Sequence, residues 1–197
     1  SVSVVSEDVV RARLPKWSTR QDCRPPLASL IALLDEASTA TIAMRDRSGR
    51  FGVSVTLSGV VASDAPIIAA DTILPVSPSP RKIGGTLAFA DVDVFANDSL
   101  VLRGHHIKFL PGGFLMDNVD HPLLRPVTEA IISRLPLHER ETRDPSFTAD
   151  MKVSKTICNP LGGLHGGAAC MIAERAASGH DPRNRFPASM HVRLLAS

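Results

Sequence analysis

Tyrosine is absent and tryptophan occurs once, at Trp17, in a chain of 197 residues. Single-stranded nucleic acid is usually held by stacking its bases on aromatic rings, and this sequence offers almost none. Charge points the same way. Lys and Arg number 22 against 20 acidic residues, and the formal net charge of +2 gives no electrostatic case for nucleic acid or an anionic membrane as main partner. The three cysteines, Cys23, Cys158 and Cys170, are an odd number without a CxxC pair, which argues against a disulfide framework and against a zinc site. No HExxH or similar metal spacing occurs. Apolar runs fall short of the ~18 residues that span a bilayer. The stretch from Ser1 to Val10 lacks the basic start and apolar core of a signal peptide. The expectation is a cytoplasmic protein with neither a membrane nor a nucleic-acid partner, long enough for one large core or two small ones.

What is present is an apolar helix followed by strands. Leu27 to Arg45 puts Leu27, Leu30, Ile31, Leu34, Ser38 and Ile42 on one face, with Pro25 and Pro26 at the start and Gly49 past the end. Phe51 to Val61, Ile67 to Val76, Thr86 to Phe95 and Leu100 to Leu110 read as strands. Their breakers are Ser63-Asp-Ala-Pro66, Ser77-Pro-Ser-Pro80 and the hairpin-length Ala96-Asn-Asp98. Consecutive strands joined this way predict an α+β fold, with an antiparallel sheet wrapped around the long helix to bury its apolar face. Asp91 and Asp93 read as the solvated face of their strand. His105 and His106, being neighbours on a strand, point to opposite faces and cannot easily share a metal. Gly84-Gly85 and Gly112-Gly113 read as turns.

The sequence also repeats itself. A shift of 139 residues lays Val9–Leu14 over Thr148–Val153, Leu33–Ala37 over Ile172–Ala176 and Val53–Thr56 over Val192–Leu195, with no insertion. The expected organisation is a first repeat at 1–115, a connecting segment at 116–145 and a second repeat at 146–197. The connecting segment holds a helix from Pro122 to Leu135 and a polar linker from Arg140 to Pro145. The second repeat stops where the first goes on to complete its sheet, so further strands are expected from more chain or from another chain.

Asn159, His165-Gly166-Gly167 and Glu174 stand at a fixed spacing: the Asn six residues before the His, and the acid nine after it. In this they resemble the PaaI-like branch of the hotdog-fold acyl-CoA thioesterases. The likeness extends to the helix-then-strands order and, more weakly, to both repeats. It implies a tandem double hotdog that hydrolyses acyl-CoA or acyl-carrier thioesters without a cofactor or metal, in homo-oligomers of such double hotdogs.

Elementary chemistry supports several of the roles. Gly166 and Gly167 open a helix, where unpaired N–H groups and the positive dipole end can hold a developing oxyanion. The resemblance gives that role to the Gly166 N–H, with Gly167 serving substrate approach or close packing. Asn159 can orient water or a carbonyl, or it can simply form an Asn-Pro turn. His165 is expected to orient the loop more than to move protons. Asp35 and Glu174 are equivalent in the repeats, each a carboxylate within an apolar helix stretch, where burial without a partner or purpose is costly. The first repeat has lost the rest of the motif: Pro26-Leu27-Ala28 replaces His-Gly-Gly, and Arg20 replaces the Asn. The family pocket lies between paired hotdogs. The competent site would therefore join Asn159, His165 and Gly166 to Asp35, which acts on water or forms an acyl anhydride, while Glu174, the alternative carboxylate, would face the degraded loop. A non-catalytic thioester-binding or assembly module is the second reading. An enoyl-thioester hydratase ranks below it, because Ala40 and Gly179 stand where that class places a His after the acid.

Overall fold

The computed structural model describes residues 2–6, 9–14, 25–50, 52–69, 71–112, 137–140, 148–159, 162–180 and 187–194. Helix α1 (Leu27–Arg45) begins directly after Pro26, whose fixed φ suits a helix start, and ends before Gly49 at φ +58°. Every residue from Leu27 to Thr39 is buried. Length and composition would let α1 cross a bilayer, but here it is the core helix.

The described residues hold nine strands: β1 (Val2–Ser6), β2 (Val9–Arg13), β3 (Val53–Val61), β4 (Ile73–Gly84), β5 (Leu87–Ala96), β6 (Ser99–Phe109), β7 (Leu137–Arg140), β8 (Thr148–Met151) and β9 (Ser189–Arg193). Seven form one antiparallel sheet in the order β1-β2-β4-β5-β6-β3-β9, and β7 pairs with β8 alone. On the face toward α1, β5 alternates Ala88, Ala90, Val92, Val94 and Ala96, and β6 alternates Leu102, Gly104, His106, Lys108 and Leu110, all of them buried. Gly104 is required there, because a Cβ would run into the Leu34 side chain and the Ser58 carbonyl. An antiparallel sheet curled over one long helix is the hotdog arrangement.

Helix α2 (Gly166–His180) packs against α1 on the side the sheet leaves open, which is why α1 is buried all round instead of along one stripe. The contact is close: a Cβ at Gly167 would lie 2.8 Å from the Ala32 Cβ. Strand β9 follows α2 and pairs with β3 through Thr56↔Arg193 to Val60↔Ser189, and beyond them the Leu194 N–H donates to the Val55 carbonyl at 2.8 Å.

The expected hairpin at Asn97-Asp98 is present, both residues having positive φ, as the tight turn requires. The expected strand Ile67–Val76 is not. Residues 65–69 are loop, and β4 runs from Ile73 straight through the predicted breaker Ser77–Pro80. The prolines are tolerated because β2 pairs with β4 only as far as Val76, so among the described residues no strand flanks β4 on that side at Pro78 and Pro80 and no N–H is needed there. Arg140 ends β7 instead of starting a linker. The predicted helix Pro122–Leu135 lies outside the described residues. Asp91 and Asp93 face outward and pair with Arg81, His105 and Arg103.

Candidate active site

Around Asn159 and residues 162–165 the chain turns tightly into α2. The Asn159 N–H donates to the Gly163 carbonyl at 2.7 Å, and the Asn159 Oδ1 accepts the Gly163 N–H at 3.1 Å. The Asn159 side chain therefore closes its own turn. His165 occupies the N-cap of α2. Its N–H donates to the Ile157 carbonyl at 2.9 Å, and its Nδ1 accepts the Gly167 N–H at 3.1 Å, which caps one of the first-turn donors. An accepting Nδ1 places the ring proton of the neutral imidazole on Nε2.

Asp35, in the middle of α1, reaches this helix start. Its Oδ2 accepts the Gly167 N–H at 3.0 Å and lies 3.6 Å from the His165 Nδ1. A Cβ on Gly166 would sit 2.8 Å from that same oxygen, 2.7 Å from the Leu57 side chain and 2.9 Å from the Ser54 Oγ. Nothing larger than glycine fits beside the carboxylate. Among the described residues no hydrogen-bond acceptor is recorded for the Gly166 N–H, as befits the first position of a helix. The structure thus brings Asp35, His165, Gly166 and Gly167 together, and it folds Asn159 back onto its loop.

Glu174 is the mirror of this arrangement. Its two oxygens accept the Leu27 N–H at 3.1 Å and the Ala28 N–H at 3.0 Å, at the start of α1. Both N–H groups that correspond to Gly166 and Gly167 are occupied there.

Behind Asp35 lies a buried polar cluster. The Ser54 Oγ donates to Asp35 Oδ1 at 2.9 Å and lies 3.0 Å from the His106 Nε2, whose ring is fully buried. The His106 Nδ1 meets the Ser38 Oγ at 2.6 Å, and the Lys108 Nζ donates to the Thr39 Oγ1 at 2.7 Å. Burial by itself pushes the Asp35 carboxyl upward. The facing His106, His165 and Lys108 and the Ser54 hydroxyl outweigh it and hold the group well below the usual carboxylate range. His106 is itself pushed down to about 3, first by burial and then by Lys108, so near neutrality its ring is uncharged. Among the described residues no group of three His, Cys, Asp or Glu side chains could hold a metal.

Sequence reasoning placed none of Ser54, His106 and Lys108 in the site, and read His106 only as a strand neighbour of His105. The signal for the last two was strand parity: they share the inward face of β6 with Leu102, Gly104 and Leu110, so two polar side chains interrupt an apolar stripe.

No family model matches the sequence, and no curated protein matches it. Solved structures do. Zebra fish thioesterase superfamily member 2 is 26% identical over 56% of this chain and 80% of that one, with a TM-score of 0.48. Thioesterase superfamily member 2 of Mus musculus is 21% identical over 56% and 81%, with a TM-score of 0.47. A Streptococcus mutans protein bound to acetyl CoA is 15% identical over 57% and 90%, with a TM-score of 0.50. The last likeness is one of fold, and the fold shared is the hotdog.

Proposed function

We propose that this chain hydrolyses the thioester of an acyl-CoA or acyl-carrier substrate at the start of α2. The observation that carries the reading is the buried Asp35 carboxylate set against the N-terminus of α2, beside a glycine N–H with no recorded acceptor among the described residues. The thioester carbonyl oxygen takes the Gly166 N–H, where the first-turn donors and the helix dipole stabilise negative charge as it develops. Asp35 takes a proton from a water, and the water oxygen bonds to the carbonyl carbon. The tetrahedral intermediate then collapses, the C–S bond breaks and the thiolate takes up the proton.

The same geometry supports a tandem pairing. Asp35 and Glu174 are 139 residues apart, as are Val55 and Leu194, and in each case the two copies meet one another: carboxylate on the opposite helix start, strand on strand. This is the relation expected of two hotdog repeats about a local two-fold axis. The competent half is then the one that keeps its glycines, and Glu174 closes the other.

The test is thiol release from short, long and aromatic acyl-CoAs. Wild type should be active, Asp35→Asn should lose at least a hundredfold in kcat, and Glu174→Gln should stay within a few-fold of wild type. Near-normal activity in Asp35→Asn would remove Asp35 from the chemistry, and no thiol release from any substrate would remove hydrolysis.

A further inference from the structure

The hydroxyls around His106 specify where its protons lie. The Ser38 Oγ is 2.6 Å from the Leu34 carbonyl oxygen, the i−4 contact of a helical serine. Two oxygens that close need a hydrogen between them, and only Ser38 can supply it. The Ser38 hydrogen is therefore spent on the helix, and toward His106 the Ser38 oxygen can only accept. At 2.6 Å from that oxygen, the His106 Nδ1 must carry a hydrogen. A neutral ring protonated on Nδ1 has a bare lone pair on Nε2.

That lone pair faces Ser54, whose single hydrogen has two claimants: Asp35 Oδ1 at 2.9 Å and the His106 Nε2 at 3.0 Å. The two acceptors are themselves 3.5 Å apart. With His106 neutral and Asp35 ionised, one of the two contacts at Ser54 lacks a hydrogen. One added proton completes both. It can sit on Asp35, which then donates to Ser54 while Ser54 donates to Nε2. It can equally sit on Nε2, which donates to Ser54 while Ser54 donates to Asp35. The two arrangements differ only by the shift of two hydrogens along one line of three groups.

We propose that His106 is the far end of a proton relay that runs from Asp35 through the Ser54 hydroxyl. In the hydrolysis put forward above, on which this inference rests, the proton leaving water bonds to Asp35 Oδ1 and moves on to the Ser54 oxygen as the Ser54 hydrogen passes to His106 Nε2, so Asp35 ends ionised, Ser54 ends a hydroxyl and the ring carries the added proton. The reverse shift returns a proton through Asp35 to the departing thiolate. No proton is gained or lost over the cycle. The groups facing His106 are Asp35 and Ser38 on α1, Ser54 on β3, Lys108 on its own strand β6 and His165 ahead of α2. Burial and Lys108 keep the ring unprotonated between turnovers, with its pKa pushed down to about 3, so Nε2 is vacant when the proton arrives.

Two measurements test the relay independently. The first is nitrogen NMR of protein labelled at histidine. His106 should show a protonated Nδ1 and a bare Nε2 at neutral pH; the opposite tautomer overturns the relay whether or not the protein is an enzyme. The second compares wild type with His106→Gln, whose amide can reach the Nε2 position and bond Ser54 but cannot take a proton. We expect kcat to fall about a hundredfold, the scale of acid–base assistance, with KM unchanged. A curved dependence of rate on deuterium fraction should also become linear, with one proton in flight in place of three. A variant within threefold of wild type and still curved overturns the relay while hydrolysis stands. A wild-type protein that releases no thiol overturns hydrolysis and the catalytic use of the relay together. Should the variant fail to fold, the wild-type tautomer and isotope curve still decide.

Discussion

Glu174 of α2 accepts the Leu27 and Ala28 N–H groups at 3.1 and 3.0 Å, while Asp35 of α1 accepts the Gly167 N–H at 3.0 Å, so each helix start is capped by a carboxylate from the other helix. The difference is one methylene. The longer Glu places an oxygen on each of two adjacent N–H groups, whereas Asp uses one oxygen on one N–H, and among the described residues no acceptor is recorded for the neighbouring Gly166 N–H.

Glu174→Gln should therefore be a stability variant. The amide keeps one acceptor oxygen and loses the charge at the α1 N-terminus, which costs roughly 1 to 2 kcal/mol. Urea denaturation should show the midpoint fall with the slope unchanged. A midpoint equal to that of wild type would mean that the Glu174 bonds contribute nothing net.

Asp35→Glu tests the methylene argument from the other side. The longer side chain can cap both Gly166 and Gly167 as Glu174 caps its own pair. Thiol release should drop by about a hundredfold or more, the loss expected when an oxyanion donor is taken away. Thermal stability should hold. Activity close to wild type would show that the free Gly166 N–H is not what the shorter carboxylate secures.

The two glycines should separate by readout. A methyl at Gly166 meets Asp35, Ser54 and Leu57 within 3 Å, and only the Leu57 end of that wall can yield cheaply, so Gly166→Ala should lose activity first. A methyl at Gly167 meets the Ala32 Cβ at 2.8 Å and its Cα at 3.1 Å, where α1 and α2 touch. Overpacking there costs about 1 to 3 kcal/mol, so Gly167→Ala should lose stability first. Parallel assays of melting temperature and thiol release would refute the assignment if the two variants behaved alike.

Sequence alone made α1, β5, β6 and the Asn97-Asp98 hairpin legible, because each carries a local rule: helical spacing, alternation or turn chemistry. Asp35 was legible as a carboxylate inside an apolar stretch. β4 was not, since Pro78 and Pro80 forbid only a paired N–H and the sequence does not say which strands flank them. His106 was not, because His105 and His106 are equivalent until strand parity is fixed. In the structure one meets Asp91 on the outer face and the other lies in the core. Ser54 carries no local signal. A serine on a strand gains its meaning only when β3 is laid beside β6 and α1 crosses it.

Two buried groups should give the protein a pH dependence that single substitutions unmask. His106 has its pKa lowered to about 3 by burial and Lys108, against ~6.5 when unfolded. The unfolded chain binds the proton first, so stability present above about 6.5 is lost as pH falls toward 3. Glu36, buried beside Asp35, is pushed up to about 8 by burial and by that neighbouring charge, from 4.5. The folded chain holds its proton longer, so stability present below 4.5 is lost as pH rises toward 8. Each slope is roughly 1 kcal/mol per pH unit. Between about 4.5 and 6.5 they have opposite signs and largely cancel, which predicts a flat stability profile there in wild type. Glu36→Gln should make stability climb with pH through that window, and His106→Gln should make it fall. Denaturant midpoints at pH 5, 6, 7 and 8 measure both, and a profile unchanged by either substitution would show that the group titrates alike in the folded and unfolded chain.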